Sequence, residues 1–333
     1  MTVSDRETRL PIRDRASEDA APASRAEATE TAELPDFRRM PIAAAVRWLA
    51  EHGEPADPRP DIDTASLKRR FPHLAGVETS DIRIDGPQGR LVPARLYRDA
   101  AAAASGRALV WVHGGAFIGG HLDMPEANWV ALELAARGIP VLSVDYVKCL
   151  GDVHFPEPTH EVRTAFHHAT RHAGELFGVE AGAVLLGGAS AGGNLTAGAV
   201  AQLQDAGEGV PSGLVLVYPV VHPNSPEASD EVDLASPHGQ LAGNFAGPDG
   251  LRDPHAFAAL GPVGGFPQTL IVVCERDDLR PSGEAFARQL EAAGVDVQLH
   301  LEEGADHGHI NEPSDPTALP TIEAIAAWIG ESA

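Results

Sequence analysis

Apolar residues recur along this chain with two periods. Ile82 and Ile84, then alternate positions through 91–97, are apolar among polar neighbours, which is the two-residue period of a strand with one buried face. These runs predict an antiparallel pair starting near residue 78. Residues 108–112 are continuously apolar, as expected for a strand buried on both faces. Further apolar runs at 141–144, 184–186, 214–217, 269–273 and 295–301 predict strands. Helical sequence falls at 126–137, 158–176, 192–204, 282–293 and 322–329. Strands alternating with helices predict a doubly wound, mainly parallel α/β sheet with helices on both faces.

Two regions depart from that rhythm. Residues 40–52 place Ile42, Val46, Trp48 and Leu49 at helical spacing, and a proline-rich linker runs from Glu54 to Pro60. Residues 221–266 are rich in Pro, Gly, Asp and Ser around isolated apolar side chains such as Phe245 and Phe257. The stretch is too long for an ordinary connection and is read as an insertion covering the open end of the sheet. Residues 1–34 have little to bury and are expected to be disordered or loosely packed. The expected organisation is therefore 1–34, an N-terminal helix and linker over 35–77, a main α/β domain from 78–220 and 267–333, and an insertion at 221–266.

Composition narrows the function classes. Of the 333 residues 43% are hydrophobic, enough for a sizeable core, and the formal net charge is −23. Such a surface repels nucleic acid and anionic membranes and steers anionic substrates away. The two cysteines, Cys149 and Cys274, suggest neither a disulfide framework nor a C-x-x-C metal site, and Cys274 reads as a buried free thiol. The first ten residues hold no apolar signal core, and no apolar run approaches the ~18 residues of a membrane span. A cytoplasmic location is the expectation.

The chemistry is concentrated at Gly188-Ala189-Ser190-Ala191-Gly192, where an apolar run meets a small-residue helix. This is the G-x-S-x-G turn in its strand-to-helix context, which holds the serine hydroxyl out to attack a carbonyl. Serine is a poor nucleophile without a base, and in this arrangement the order is serine, acid, histidine. Both partners belong in loops after late strands, at the end of the sheet where ligands bind. Asp277 and His307 are the candidates; Asp278, Glu275 and Asp306 are rival acids, and His309 a rival base. The strand at 108–112 runs into His113-Gly114-Gly115-Ala116-Phe117, where glycines let backbone N–H groups approach a developing oxyanion. The N–H of Ala191, at a helix N-terminus, supplies a further donor. A P-loop is excluded, because Asn194 follows Gly193 where Lys is required, and Ser190 occupies the second glycine position of a dinucleotide fingerprint. His160, His167, His168 and His172 read as a solvated helix face, and Trp48, Trp111, Trp129 and Trp328 as packing residues.

Four stretches in this order resemble the hormone-sensitive-lipase-like branch of the α/β-hydrolase esterases. That branch carries H-G-G-G followed by F or W, then G-D/T-S-A-G-G-N-L, then D-x-L-R, then a late H-G-F. Here they read His113 to Phe117, Gly188 to Leu195, Asp277 to Arg280, and His307-Gly308-His309. The resemblance spans residue 78 to the C-terminus. It implies the α/β-hydrolase fold, with a mainly parallel eight-stranded sheet and a helical cap. It also implies Ser190 as nucleophile, His307 as base and Asp277 as orienting acid. The oxyanion hole would be Gly115, Ala116 and Ala191, with Gly114 supporting the turn. The implied activity is serine carboxylesterase, on small neutral esters of short-to-medium acyl chains, with neither metal nor cofactor. The implied partner is a small-molecule ester rather than nucleic acid or membrane, and a homodimer is left open. Lactone, amide or carbamate hydrolysis, acyl transfer, and a non-catalytic binding role on the same fold are the alternatives. Four departures stand out: Ala116 for the third glycine, Ala189 for Asp or Thr, His309 for Phe, and residues 145–152 in place of D-Y-R-L-A-P-E.

Overall fold

A computed structural model describes residue 37 and residues 40–226 and 232–331. The stretch 1–34, expected to be disordered or loosely packed, lies outside the described residues. The strands are β1 (Glu78–Asp85), β2 (Leu91–Arg98), β3 (Ala108–Val112), β4 (Val141–Val144), β5 (Val184–Ala189), β6 (Leu214–Val217), β7 (Thr269–Arg276) and β8 (Val297–Asp306). They form one sheet in the order β1-β2-β4-β3-β5-β6-β7-β8. β1 and β2 are an antiparallel pair, β2 lies antiparallel to β4, and all other neighbours are parallel.

The sequence pattern explains the layers. β3 reads Ala-Leu-Val-Trp-Val with every residue buried. Val110 and Val112 join one core, and Leu109 and Trp111 the other, because successive side chains leave a strand on opposite faces. The first core is closed by α4 (Glu157–Arg171), α6 (Ala191–Asp205) and α8 (Arg280–Ala292), through Phe166, Leu195 and Phe286. The second is closed by α3 (Pro125–Ala136) and α9 (Ala318–Glu331), through Trp129 and Ile325. Burying each such side chain contributes about 1.5–3 kcal/mol before chain entropy is charged against it. Cys149 and Cys274 are both buried free thiols.

The structure corrects several boundaries. β7 continues to Arg276, and β8 runs to Asp306 rather than ending at residue 301. β8 is an edge strand with many exposed positions, so apolar content understates its length. Its last residues stay paired to β7 across an irregularity between Cys274 and Arg276. The helix expected over 158–176 divides at His172 into α4 and α5 (Ala173–Phe177). On α4, His167 pairs with Glu208, and the rings of His168 and His172 lie 4.7 Å apart. Besides α1 (Ile42–His52), two helices escape the apolar pattern and are legible in their caps instead. α2 (Thr64–Arg70) begins where the Asp63 side chain accepts the Ser66 N–H, and α7 (Pro237–Ala246) where Ser236 accepts the Gly239 N–H. Among the described residues no helix is long and apolar enough to cross a membrane.

Candidate active site

Ser190 stands between β5 and α6 with φ 52° and ψ −117°, a conformation that costs a non-glycine residue about 1–3 kcal/mol. Close packing enforces it. A Cβ on Gly192 would lie 2.1 Å from the Val112 carbonyl oxygen, and one on Gly188 2.6 Å from the Gly192 backbone. Only glycine at both positions lets helix and strand close around the turn. The Ser190 N–H donates to the Val217 carbonyl at 2.9 Å, tying the turn to β6.

His307 Nε2 lies 3.0 Å from Ser190 Oγ, and its Nδ1 lies 2.8 Å from Asp277 Oδ2. Asp277 is anchored by its other oxygen, which accepts the Leu279 N–H at 2.8 Å. Its side chain is 3% exposed, whereas that of His307 is 38% exposed, so the carboxylate is fixed and the imidazole faces the cleft. Two of the rival acids are engaged elsewhere, and the third faces solvent. Glu275 accepts the Gly304 N–H, Asp306 pairs with Arg276, and Asp278 is exposed. His309, the rival base, is buried between Cys274 Sγ, 3.3 Å from Nδ1, and Thr321 Oγ1, 2.8 Å from Nε2. Burial lowers its pKa.

The loop after β3 is built from positive-φ residues: Gly115 at 112°, Ala116 at 54° and Phe117 at 66°. A Cβ on Gly115 would fall 2.1 Å from the Gly119 carbonyl oxygen, so glycine is required there. The Gly114 N–H is taken by the Glu126 carboxylate. Its carbonyl accepts from His113 Nδ1 at 2.6 Å and from the Tyr146 hydroxyl at 3.1 Å. That carbonyl shares a planar trans peptide with the Gly115 N–H, so holding one aims the other in the opposite direction. Among the described residues the N–H groups of Gly115 and Ala116 have no backbone acceptor. The Ala191 N–H opens α6, where the first amides lack intrahelical partners. His113 is fully buried, and burial lowers its pKa. The residues that replace the family's D-Y-R-L-A-P-E enclose it: its ring stacks on Tyr146 at 4.8 Å, and Lys148 pairs with Asp145 at 2.6 Å. Burial alone would raise the pKa of Asp145, but the hydrogen bond to His113 and the Lys148 charge hold it at about 2.

A cavity of about 640 Å³ opens beside Gly115 and Ala116. Ile42, Ala45 and Leu49 of α1, Ile118, and Leu241 of α7 supply its apolar wall. The stretch from Glu54 to Pro60, expected to be a linker, supplies polar contacts instead. Both Glu54 oxygens accept the Gly120 N–H at 2.9 Å, while Arg59 donates to the Asn311 carbonyl at 2.6 Å and pairs with Glu312 at 2.7 Å. The segment thus grips the loops on both sides of the site. Sequence reasoning missed Glu54, Arg59, Glu126, Tyr218 and Asn311. A Pro-Arg-Pro triplet and a glutamate in the first turn of the helix after β3 are the local signals.

A mainly parallel sheet with a strained strand-to-helix serine at its centre defines an α/β-hydrolase. The chain matches the α/β-hydrolase fold family over residues 109–311. It is 33% identical over 269 residues to the carboxylic ester hydrolase LipN of Mycobacterium tuberculosis, an alignment covering 75% of this chain and 70% of that one. It is 30% identical over 316 residues to an ethyl acetate hydrolase of Pseudomonas putida, with 86% and 98% covered. An esterase of Pyrobaculum calidifontis shares the fold at a TM-score of 0.67 and 28% identity, with 82% and 94% of the chains covered. The chain belongs to the α/β-hydrolase fold family, in its hormone-sensitive-lipase-like esterase branch, and is a carboxylic ester hydrolase.

Proposed function

We propose that the chain hydrolyses small neutral esters through an acyl-enzyme on Ser190, with His307 as general base and Asp277 as the acid that orients it. The observation that carries this reading is the unbroken line from Ser190 Oγ to His307 Nε2 at 3.0 Å and from His307 Nδ1 to Asp277 Oδ2 at 2.8 Å. His307 takes the hydroxyl proton as Ser190 attacks the ester carbonyl. The oxyanion is held by the N–H groups of Gly115, Ala116 and Ala191, while Gly114, its own N–H spent on Glu126, shapes the turn. His307 then protonates the leaving alkoxide, and water repeats the cycle to release the acid. Asp277 fixes the Nδ1–H tautomer and stabilises the imidazolium.

Two features support short-to-medium acyl esters. The cavity is of the size that encloses a small ligand, and apolar side chains dominate the wall beside Ala116. The net charge of −23 disfavours anionic esters, nucleic acid and anionic membranes alike. The relative named ethyl acetate hydrolase fits a small neutral substrate. Replacing Ser190 with Ala should reduce turnover of p-nitrophenyl acetate and butyrate by at least ~10⁴-fold, with the melting temperature retained. Turnover within tenfold of the parent would refute the assignment.

A further inference from the structure

We infer that Glu126 is a positioning residue: one buried carboxylate that sets the oxyanion loop and the general base in register with each other. The inference rests on the triad proposed above. Glu126 is the second residue of α3 and is 3% exposed. Its Oε1 accepts the Gly114 N–H, and its Oε2 accepts the Tyr218 hydroxyl at 2.5 Å. Both of these donors are neutral. A buried carboxylate satisfied in this way is costly to keep, which is a reason to look for its use.

Each bond leads to a different half of the chemistry. On the Gly114 side, the carboxylate holds the N–H of the residue that precedes the oxyanion donors. Gly114 is in turn packed against the nucleophile, since a Cβ there would lie 2.6 Å from Glu126 Oε1 and 3.1 Å from Ser190 Cβ. On the other side, Tyr218 directly follows β6 with φ 38°, a strained backbone for a bulky residue. Its ring lies 4.7 Å from that of His307 and forms the wall against which the imidazole rests. The hydroxyl bond to Glu126 fixes that wall. The backbone of Glu126 is anchored as well: its N–H donates to Asn311 Oδ1 at 3.0 Å, in the loop after His307, and its carbonyl accepts from Trp111 Nε1 at 2.8 Å. Glu126 therefore touches the oxyanion loop, the His307 loop and β3 from one position.

A misplacement of about 1 Å in such a site can lower turnover about 100-fold. The test measures kcat and KM separately on p-nitrophenyl acetate, with melting curves, for Glu126→Ala, Glu126→Gln and Tyr218→Phe beside the parent and Ser190→Ala. Glu126→Ala removes both acceptors; kcat should fall about 100-fold with KM within about threefold. Glu126→Gln keeps an oxygen for Gly114 and offers an N–H to the Tyr218 oxygen, so it should restore kcat to within about fivefold of the parent. Tyr218→Phe keeps the ring and removes the hydroxyl, and kcat should fall about tenfold at unchanged KM.

A folded Glu126→Ala protein with kcat within threefold of the parent would overturn the inference. So would a loss of activity that only tracks the loss of folded protein. If Glu126→Ala does not fold, Tyr218→Phe decides, and an unchanged kcat there overturns it. A parent that turns over no faster than Ser190→Ala removes the triad itself, and this inference with it. A parent well above Ser190→Ala with an insensitive Glu126 removes only the inference.

Discussion

Ser190 and His307 approach each other from opposite kinds of structure. β5, which delivers Ser190, lies between β3 and β6, and all six of its residues are buried. β8, which delivers His307, is the edge strand and carries exposed positions along its length. At the centre, position is enforced by backbone packing, with Gly188, Gly192 and the Val112 carbonyl in contact and no side-chain hydrogen bond needed. At the edge, position is enforced by side chains: Asp277 on the imidazole, the Tyr218 ring against it, and the exposed Arg276–Asp306 pair beside it. The difference teaches that the two halves should fail differently. Damage at the centre should appear first as lost stability, and damage at the edge first as lost rate.

The largest expected effect tests the edge. Asp277 uses both oxygens as acceptors, one for Leu279 and one for His307. Asparagine offers a single acceptor, so an NH₂ faces either the Leu279 amide or the His307 Nδ1–H. Asp277→Asn should lower kcat by about 10³–10⁴-fold while shifting the melting temperature by no more than a few degrees. A variant that melts far below the parent at near-normal specific activity would contradict this contrast between centre and edge.

Next comes the centre. Gly192→Ala places a methyl 2.1 Å from the Val112 carbonyl oxygen and 2.5 Å from that of His113, both of them backbone atoms. The expected loss is about 3 kcal/mol of folding stability, read by chemical denaturation. A variant of parental stability would show that the turn is looser than its contacts indicate.

The smallest effect sharpens the comparison inside the oxyanion loop. Ala116 holds φ 54°, where glycine has no Cβ penalty but adds entropy to the unfolded chain. The opposing terms leave Ala116→Gly about 0.5 kcal/mol more stable, with activity within about threefold because its N–H is retained. Calorimetry decides the sign, and a clear destabilisation would mean that the alanine methyl contributes packing that offsets its strain.

Much of this was legible before the chain was folded. The continuous apolar runs at 108–112 and 184–186 announced buried parallel strands. Gly188 and Gly192 marked the sharp turn, because the steric demand of that turn excludes other residues there. Polar edges were less legible. Residues 302–306 read as loop, since a half-exposed edge strand has too few apolar positions to reveal itself. The D-x-L-R match ranks Asp277 over Asp278, and position after Gly304 ranks His307 over His309. The geometry separates them by other means: Leu279 anchors one carboxylate, and Cys274 with Thr321 buries the other imidazole.

The sequence by itself determined the fold class and the serine turn, because both follow from local sterics and from the period of apolar residues along the chain. Only the tertiary structure decided that Glu54 and Arg59 grip the loops of the site, that His309 faces inward, and that Glu126 reaches both Gly114 and Tyr218. The bond from Arg59 to Asn311 spans 252 residues, and that from Glu126 to Tyr218 spans 92. No local pattern encodes contacts so distant; they exist only once the register of the sheet has brought the strand ends to one side.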